Sequence, residues 1–215
     1  MVAKYFSHVE TWVFDLDNTL YPPSANLFGQ MDLRFSNYVQ RLTGLEADAA
    51  LRLCHDYWDS YGSTLMGLIE HHDVDPHHFL ADVHDIDISH LAEDERLTDA
   101  LRGLKGRKIV YTNGSENHAK RVLAKRGLTQ QFDAVYGVEH AQFAAKPTEG
   151  AFARVFTMDG LDTTKAAMIE DEARNLRVPH ALGMRTVHVH RPKSNDDFVH
   201  HHSDDLTDFL SQVVR

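Results

Sequence analysis

The chain has a single cysteine, Cys54, which rules out an internal disulfide and leads us to expect a reducing compartment. At position 54 the thiol reads as a small buried apolar group in a helix rather than as a nucleophile. Positive charge is also scarce. Lysine and arginine number 22 against 32 aspartates and glutamates, a formal net charge of −10. That excludes the broad basic face a nucleic-acid polymer requires, although a local positive cluster for a small anion remains open. No apolar run is long enough to span a bilayer, and Met1 to Glu10 lacks the apolar region of a signal peptide. The expectation is a cytoplasmic protein with no membrane partner, as a monomer or homodimer. Internal repeats and low-complexity linkers are lacking too. The composition that remains, 42% hydrophobic and 25% charged over 215 residues, suits one large domain or a core carrying a smaller insertion.

Trp12-Val13-Phe14 reads as a buried strand that runs directly into Asp15-Leu16-Asp17-Asn18-Thr19. From Tyr21 to about Glu95 the pattern is helical throughout. Pro22-Pro23 breaks the chain, and Ser24 or Asn26 is placed to cap a helix reaching Thr43, with Leu27, Met31, Phe35, Tyr38, Val39 and Leu42 at helical spacing. Further helices fit 46–61, 65–71 and a start at Asp75-Pro76. Beyond this block strands and helices alternate. Strands fall at 108–111, 134–137, 166–169 and 185–189, and helices at 116–126, 148–158, 173–182 and 205–214. Alternation of this kind implies an α/β fold, a Rossmann-like parallel sheet with helices on both faces. An all-helical segment inserted after the first strand would overhang the carboxyl edge of that sheet, where open α/β folds bind ligands.

Chemistry-bearing residues sit at those strand ends. Asp15 and Asp17 are close enough to repel unless a cation lies between them, and an oxygen-rich site suits Mg²⁺. An acidic loop capping a helix is the plain alternative. Thr112-Asn113-Gly114 offers a hydroxyl, an amide and backbone N–H groups to an oxyanion, yet the same residues favour a turn and a cap. Lys146, just before Pro147, is placed to neutralise a phosphate, or simply to be solvated. Glu170-Asp171 follow an apolar strand, and two carboxylates there are awkward to bury without a metal. The four together, in the order acid pair, hydroxyl, lysine, acid pair, are far more specific than any one of them.

On those residues the chain resembles the haloacid dehalogenase-like hydrolase superfamily from Trp12 to about Arg191. Within it, Phe14 to Pro22, Tyr61-Gly62-Ser63-Thr64-Leu65-Met66-Gly67-Leu68 and Val83-His84-Asp85-Ile86-Asp87 are similar to the pyrimidine 5′-nucleotidase group. The resemblance implies a core of residues 1–20 and 96–215 and a small helical cap over 21–95. It also implies hydrolysis of a phosphomonoester, a small phosphorylated metabolite such as a nucleoside 5′-monophosphate. Asp15 would be the nucleophile and Asp17 the general acid/base. Mg²⁺ would be held by Asp15, the Asp17 carbonyl and Asp171, with Glu170 assisting. Thr112, Asn113 and Lys146 would bind the phosphoryl oxygens, Asn175 would orient the fourth motif, and Thr19 would fix its loop by a backbone hydrogen bond.

Other activities of the superfamily can be weighed on residues. Dehalogenases do not need the acid at Asp17. Phosphonate hydrolysis relies on a cap lysine, and 21–95 contains none. A sugar-phosphate phosphatase or phosphomutase uses the same core, and a non-catalytic phosphate-binding module is the alternative of another class. Arg34, Arg41 and Arg52 are candidate ligand contacts, and Phe28, Tyr57, Trp58 and Tyr61 could stack on a base, although helical aromatics also build cores. The pairs His71-His72 and His77-His78 are not read as a transition-metal site. The run His200-His201-His202 is expected in a surface loop.

Overall fold

The computed structural model describes residues 2–190 and 192–214. Met1, Arg191 and Arg215, which bound the expected core and the resemblance, lie outside them. The sheet is built on short apolar segments, buried in β1, β4 and β5 and at the end of β2 and half-buried in β3, with a polar outer strand: β1 (Thr11–Phe14), β2 (Arg107–Tyr111), β3 (Ala134–Tyr136), β4 (Ala166–Glu170), β5 (Arg185–Val189) and β6 (His201–Ser203). All pairings are parallel, in the order β3-β2-β1-β4-β5-β6. Parallel neighbours need crossovers, and the helices supply them. Leaving β1, the chain builds β2 and β3 on one side, then returns to lay β4 on the other. The carboxyl ends of β1 and β4 therefore flank the switch point, where such sheets open a crevice.

Period-2 alternation divides the strand residues between two cores. Trp12, Phe14, Val110, Ala167 and Ile169 face one cluster, together with α5 (Glu95–Gly103), α6 (Glu116–Lys125) and α9 (Leu206–Val214). Val13, Ile109, Tyr111, Ala166 and Met168 face the other, covered by α7 (Glu149–Asp159) and the short α8 (Arg177–Ala181). Helices thus cover both faces, as the alternation implies. Four helices follow β1: α1 (Leu27–Thr43), α2 (Ala47–Tyr61), α3 (Thr64–His72) and α4 (Pro76–Val83). They share a separate cluster built on Val39, Ala50, Cys54, Leu68, Phe79 and Val83. Burying such side chains contributes roughly 1.5–3 kcal/mol each, and Val138 of the loop after β3 joins this cluster while Leu27 and Met31 of α1 join the sheet's core. Cys54 is buried in α2, and burial first of all pushes its thiol up to about 11, as an inert core group requires.

Several expectations need correction. The 200–202 run is not a loop, because His201 and His202 pair with β5 as the sheet's outer strand. His201 packs against Phe6 and Phe209, while His202 lies against His188. Three polar residues carry no apolar alternation, so only pairing with a neighbour reveals them as a strand. Helix α5 was not anticipated: Leu97 and Leu101 are its only buried residues, and the helix is started by Asp94, whose side chain accepts from Leu97 N–H. The helix expected at 173–182 is a 3₁₀ turn, Ala173–Leu176, followed by α8. Asn26 stands at the start of α1 in the left-handed region, and its side chain makes no capping bond. Leu42, expected on the apolar face of α1, is exposed.

Candidate active site

The chain turns at the carboxyl end of β1, and Asp15 is held there by its N–H to the Ile169 carbonyl at 3.0 Å. This bond continues the β1–β4 ladder by one residue and brings Asp15 beside Glu170. From the loop after β3, Lys146 reaches under the sheet edge. Its ammonium donates to Asp15 Oδ1 at 2.7 Å, to Glu170 Oε1 at 2.7 Å and to the Tyr111 carbonyl at 3.0 Å. The lysine is only 1% exposed, and its three donors are satisfied, which makes its burial tolerable. Asn113 fixes it from behind: Lys146 N–H donates to Asn113 Oδ1 at 2.8 Å, and Asn113 Nδ2 donates to the Lys146 carbonyl at 3.1 Å.

One ammonium serves three carboxylates. Glu170 takes most of it, and burial, which works against ionisation, is overcome by Lys146 and by donors from the Glu172 N–H and Asn175 Nδ2, so its carboxyl lies below the ordinary value. The other two move the opposite way. Burial, then the Glu170 charge, pushes Asp15 up to about 7 against the pull of Lys146. Burial, then Glu170 and Asp15, pushes Asp171 up to about 10. Oxygens of Asp15, Glu170 and Asp171 lie within 4.8 Å of one another. A site with only oxygen donors and surplus negative charge is one that Mg²⁺ would neutralise. Both Glu170 oxygens already accept hydrogen bonds, which leaves Asp15 and Asp171 as the freer ligands.

Asp17 faces a different way. Its Oδ1 accepts from Tyr21 OH at 2.7 Å and from His118 Nε2 at 2.8 Å, and its Oδ2 lies 3.4 Å from Thr112 Oγ1. Burial opposes its ionisation, but His118 and Tyr21 together bring the carboxyl down to about 2. The Asp17 side chain is thus outside the metal group, and only its main chain could join a metal's shell. Thr112 Oγ1 also accepts from Gly114 N–H at 2.9 Å, which shapes the turn after β2.

All residues expected at the site, Asp15, Asp17, Thr112, Asn113, Lys146, Glu170 and Asp171, therefore line one cavity of 610 Å³ at the sheet's carboxyl edge. Asn175 stands beside Glu170 as expected. Thr19 holds its loop through the main chain, its N–H donating to the Leu16 carbonyl at 3.2 Å, while its buried Oγ1 has no hydrogen-bond partner among the described residues. Arg34 and Arg41 are not turned to a ligand but pair with Asp82 and Asp85, and Arg52 does not line the cavity. Of the aromatics, Phe28 and Trp58 line the cavity and are 45% and 42% exposed. Tyr57 and Tyr61 instead bond His72 and His71. The wall supplied by α1–α4 is mixed, with Met31, Phe35, Leu51 and Phe79 beside Asp32, His55 and Asp59. Sequence reasoning missed Tyr21, His84 and His118. Tyr21 and His84 fall within stretches that carried the resemblance but were given no role there, and no local pattern marks His118.

A family model described as haloacid dehalogenase-like hydrolase matches residues 9–183. Phosphate metabolism protein 8 of Saccharomyces cerevisiae is 28% identical over 192 residues, covering 81% of this chain; the chain spans 60% of that relative's length. Among solved structures, a HAD phosphatase from Thermococcus onnurineus superposes with a TM-score of 0.65 at 16% identity, covering 95% of this chain and 98% of its own. YfnB from Bacillus subtilis, solved bound to magnesium, gives 0.61 at 15% identity, with the same coverage of 95% and 98%. At those identities the likeness is one of fold. No helix among the described residues is long and apolar enough to cross a membrane.

Proposed function

The chain belongs to the haloacid dehalogenase-like hydrolases, and within that enzyme family we propose that it is a Mg²⁺-dependent phosphomonoester hydrolase acting through an aspartyl-phosphate on Asp15. One observation carries this reading: Asp15, Lys146 and Asp171 converge at the ends of β1 and β4, with the Thr112 hydroxyl and the Asp17 carboxylate across the same cavity. Residues 1–20 and 96–215 form the catalytic core in this proposal, and 21–95 the helical cap, whose own buried cluster is consistent with that division.

A carboxylate oxygen of Asp15 attacks phosphorus, and the bond to the leaving oxygen breaks. Lys146, with Thr112 and the Asn113 backbone, balances the charge of the phosphoryl oxygens. Asp17 gives a proton to the leaving alkoxide, then takes one from the water that attacks the intermediate, so the proton count closes over the cycle. His118 and Tyr21 favour the ionised Asp17, so the proton it gives comes in with the phosphate monoester monoanion, whose charge beside the carboxylate raises its affinity for a proton. The proton later taken from water leaves with the released phosphate. Mg²⁺, held by Asp15, Asp171 and the Asp17 carbonyl with Glu170 behind them, would offset negative charge as nucleophile and phosphate approach. Displacing a halide requires no proton donor, so a buried, doubly anchored Asp17 supports phosphoryl transfer over dehalogenation.

The substrate class follows from the cavity's two halves. A charged floor takes the phosphate, and a wall on which the exposed Trp58 and Phe28 stand near the polar groups of Asp32, His55 and Asp59 suits a planar base that both stacks and hydrogen-bonds. A nucleoside 5′-monophosphate fits both. The test is phosphate release with Mg²⁺ from p-nitrophenyl phosphate, UMP, CMP and β-glucose 1-phosphate. Turnover lost in Asp15→Asn and highest on the nucleotides is expected. Equal turnover of all esters would remove the nucleotide, and conversion of the sugar phosphate without phosphate release would indicate a mutase.

A further inference from the structure

We propose that His118, in the first turn of α6, is a positioning residue for Asp17, turning one chosen oxygen of that carboxylate toward the leaving group. This rests on the hydrolase reading above. His118 is fully buried, and its Nε2–H donates to Asp17 Oδ1 at 2.8 Å, the same oxygen that Tyr21 OH reaches at 2.7 Å. With two donors on Oδ1, rotation of the carboxylate would break both bonds. Oδ2 remains, facing Thr112 Oγ1 and Gly114, where an added Cβ would lie 3.4 Å from it and 3.3 Å from both imidazoles. Oδ2 is therefore the oxygen that meets substrate.

The imidazole is itself held. His84, from the segment after α4, stacks on it with ring centroids 4.4 Å apart and planes 12° from parallel. Burial, then the nearby His118, brings His84 down to about 3, so the stacked neighbour is neutral at any working pH. His84 Nδ1 and Ser115 Oγ are bonded at 3.1 Å, and Ser115 Oγ also accepts from His118 N–H at 3.2 Å. The His84 segment is tied down by Arg121, which donates to the carbonyls of His84 at 2.8 Å and Ile86 at 3.3 Å. Two elements far apart in sequence thus converge on one ring whose single polar contact in the site is Asp17.

A residue that aims the proton donor matters when the leaving group needs a proton and hardly matters when it does not. Alkoxide departure requires protonation, whereas nitrophenolate leaves without it. General acid catalysis contributes roughly 10²–10⁴-fold, and misaiming the acid forfeits part of that. His118→Leu should slow the phosphorylation step with an alkyl phosphate such as glycerol 3-phosphate by about 10-fold or more and leave that step nearly unchanged with p-nitrophenyl phosphate, as rapid-quench and nitrophenolate-burst kinetics read it, while the water attack that follows slows alike for both. His118→Gln, which keeps a donor near the Nε2 position, should restore most of the alkyl rate. Combined with Asp17→Asn, His118→Leu should add no further loss. A phosphorylation step slowed equally with both esters, an undiminished alkyl step, or full additivity with Asp17→Asn would overturn the role of His118 while leaving the hydrolase standing. If His118→Leu does not fold, His118→Asn, whose shorter amide cannot reach Asp17 Oδ1, decides: an alkyl-to-aryl ratio of phosphorylation rates equal to the parent's overturns the proposal. A wild-type protein inactive on every ester would overturn the hydrolase reading, and this role with it.

Discussion

The ammonium of Lys146 and Oδ1 of Asp15 meet at 2.7 Å across 131 positions of chain. The same nitrogen lies 2.7 Å from Glu170 Oε1, so one buried cation joins the ends of β1 and β4. Its removal would leave two buried carboxylates without their counter-charge. Breaking a buried pair by deleting one partner costs about 3–5 kcal/mol. Lys146→Met should therefore lower the urea midpoint measured without metal and cut kcat by about 10²–10³-fold. A variant as stable and as active as the parent would show that the pairing is incidental.

Metal and pH should be linked. Asp15 rises from 3.8 to about 7, and Asp171 to about 10. In each case the folded protein holds a proton that the unfolded chain releases. The contribution to stability is full below about pH 4 and is lost as pH climbs through these raised values. Mg²⁺ replaces the missing positive charge, so its gain in Tm should be larger at pH 8 than at pH 5. Thermal scans with Mg²⁺ and with EDTA at both pH values check this, and a gain no larger at pH 8 would contradict it.

Asn113 makes two bonds to the main chain of Lys146, at 2.8 and 3.1 Å. Asn113→Ala leaves a buried N–H and a carbonyl without partners, at about 1–3 kcal/mol for each unsatisfied group. The lysine would lose its fixed approach to phosphate. The expected result is a lower melting temperature and a fall in kcat larger than any rise in KM.

Trp58 in α2 lies against Arg174 of the turn after β4, the guanidinium carbon 3.4 Å from the ring centroid. Base stacking on an aromatic is worth about 1–3 kcal/mol. Trp58→Ala should raise KM for UMP by about 10-fold and leave KM for glycerol 3-phosphate unchanged. Parallel changes on the two substrates would show that Trp58 holds the helices to the core rather than reading a base.

How much could be read in advance depends on whether the signal is local. The amino-acid sequence by itself determined the parallel α/β sheet, because each buried strand is a short apolar run beside a helical period, and it marked Asp15, Asp17, Lys146, Glu170 and Asp171, because a polar group directly after such a run has little else to do. It also marked the helical insertion between Tyr21 and Glu95, since no strand pattern interrupts it. Only the tertiary structure decided the rest. The outer strand at His201–Ser203 exists because β5 offers it an edge, and the arginines at 34 and 41 are spent on aspartates brought near by the packing of α1 against α4. Tyr21 and His118 share one oxygen of Asp17 because the loop after β1 passes the start of α6. A histidine has the same neighbours in sequence whether it ends on the surface or behind a catalytic carboxylate; what differs is which distant backbone the folded sheet delivers to it.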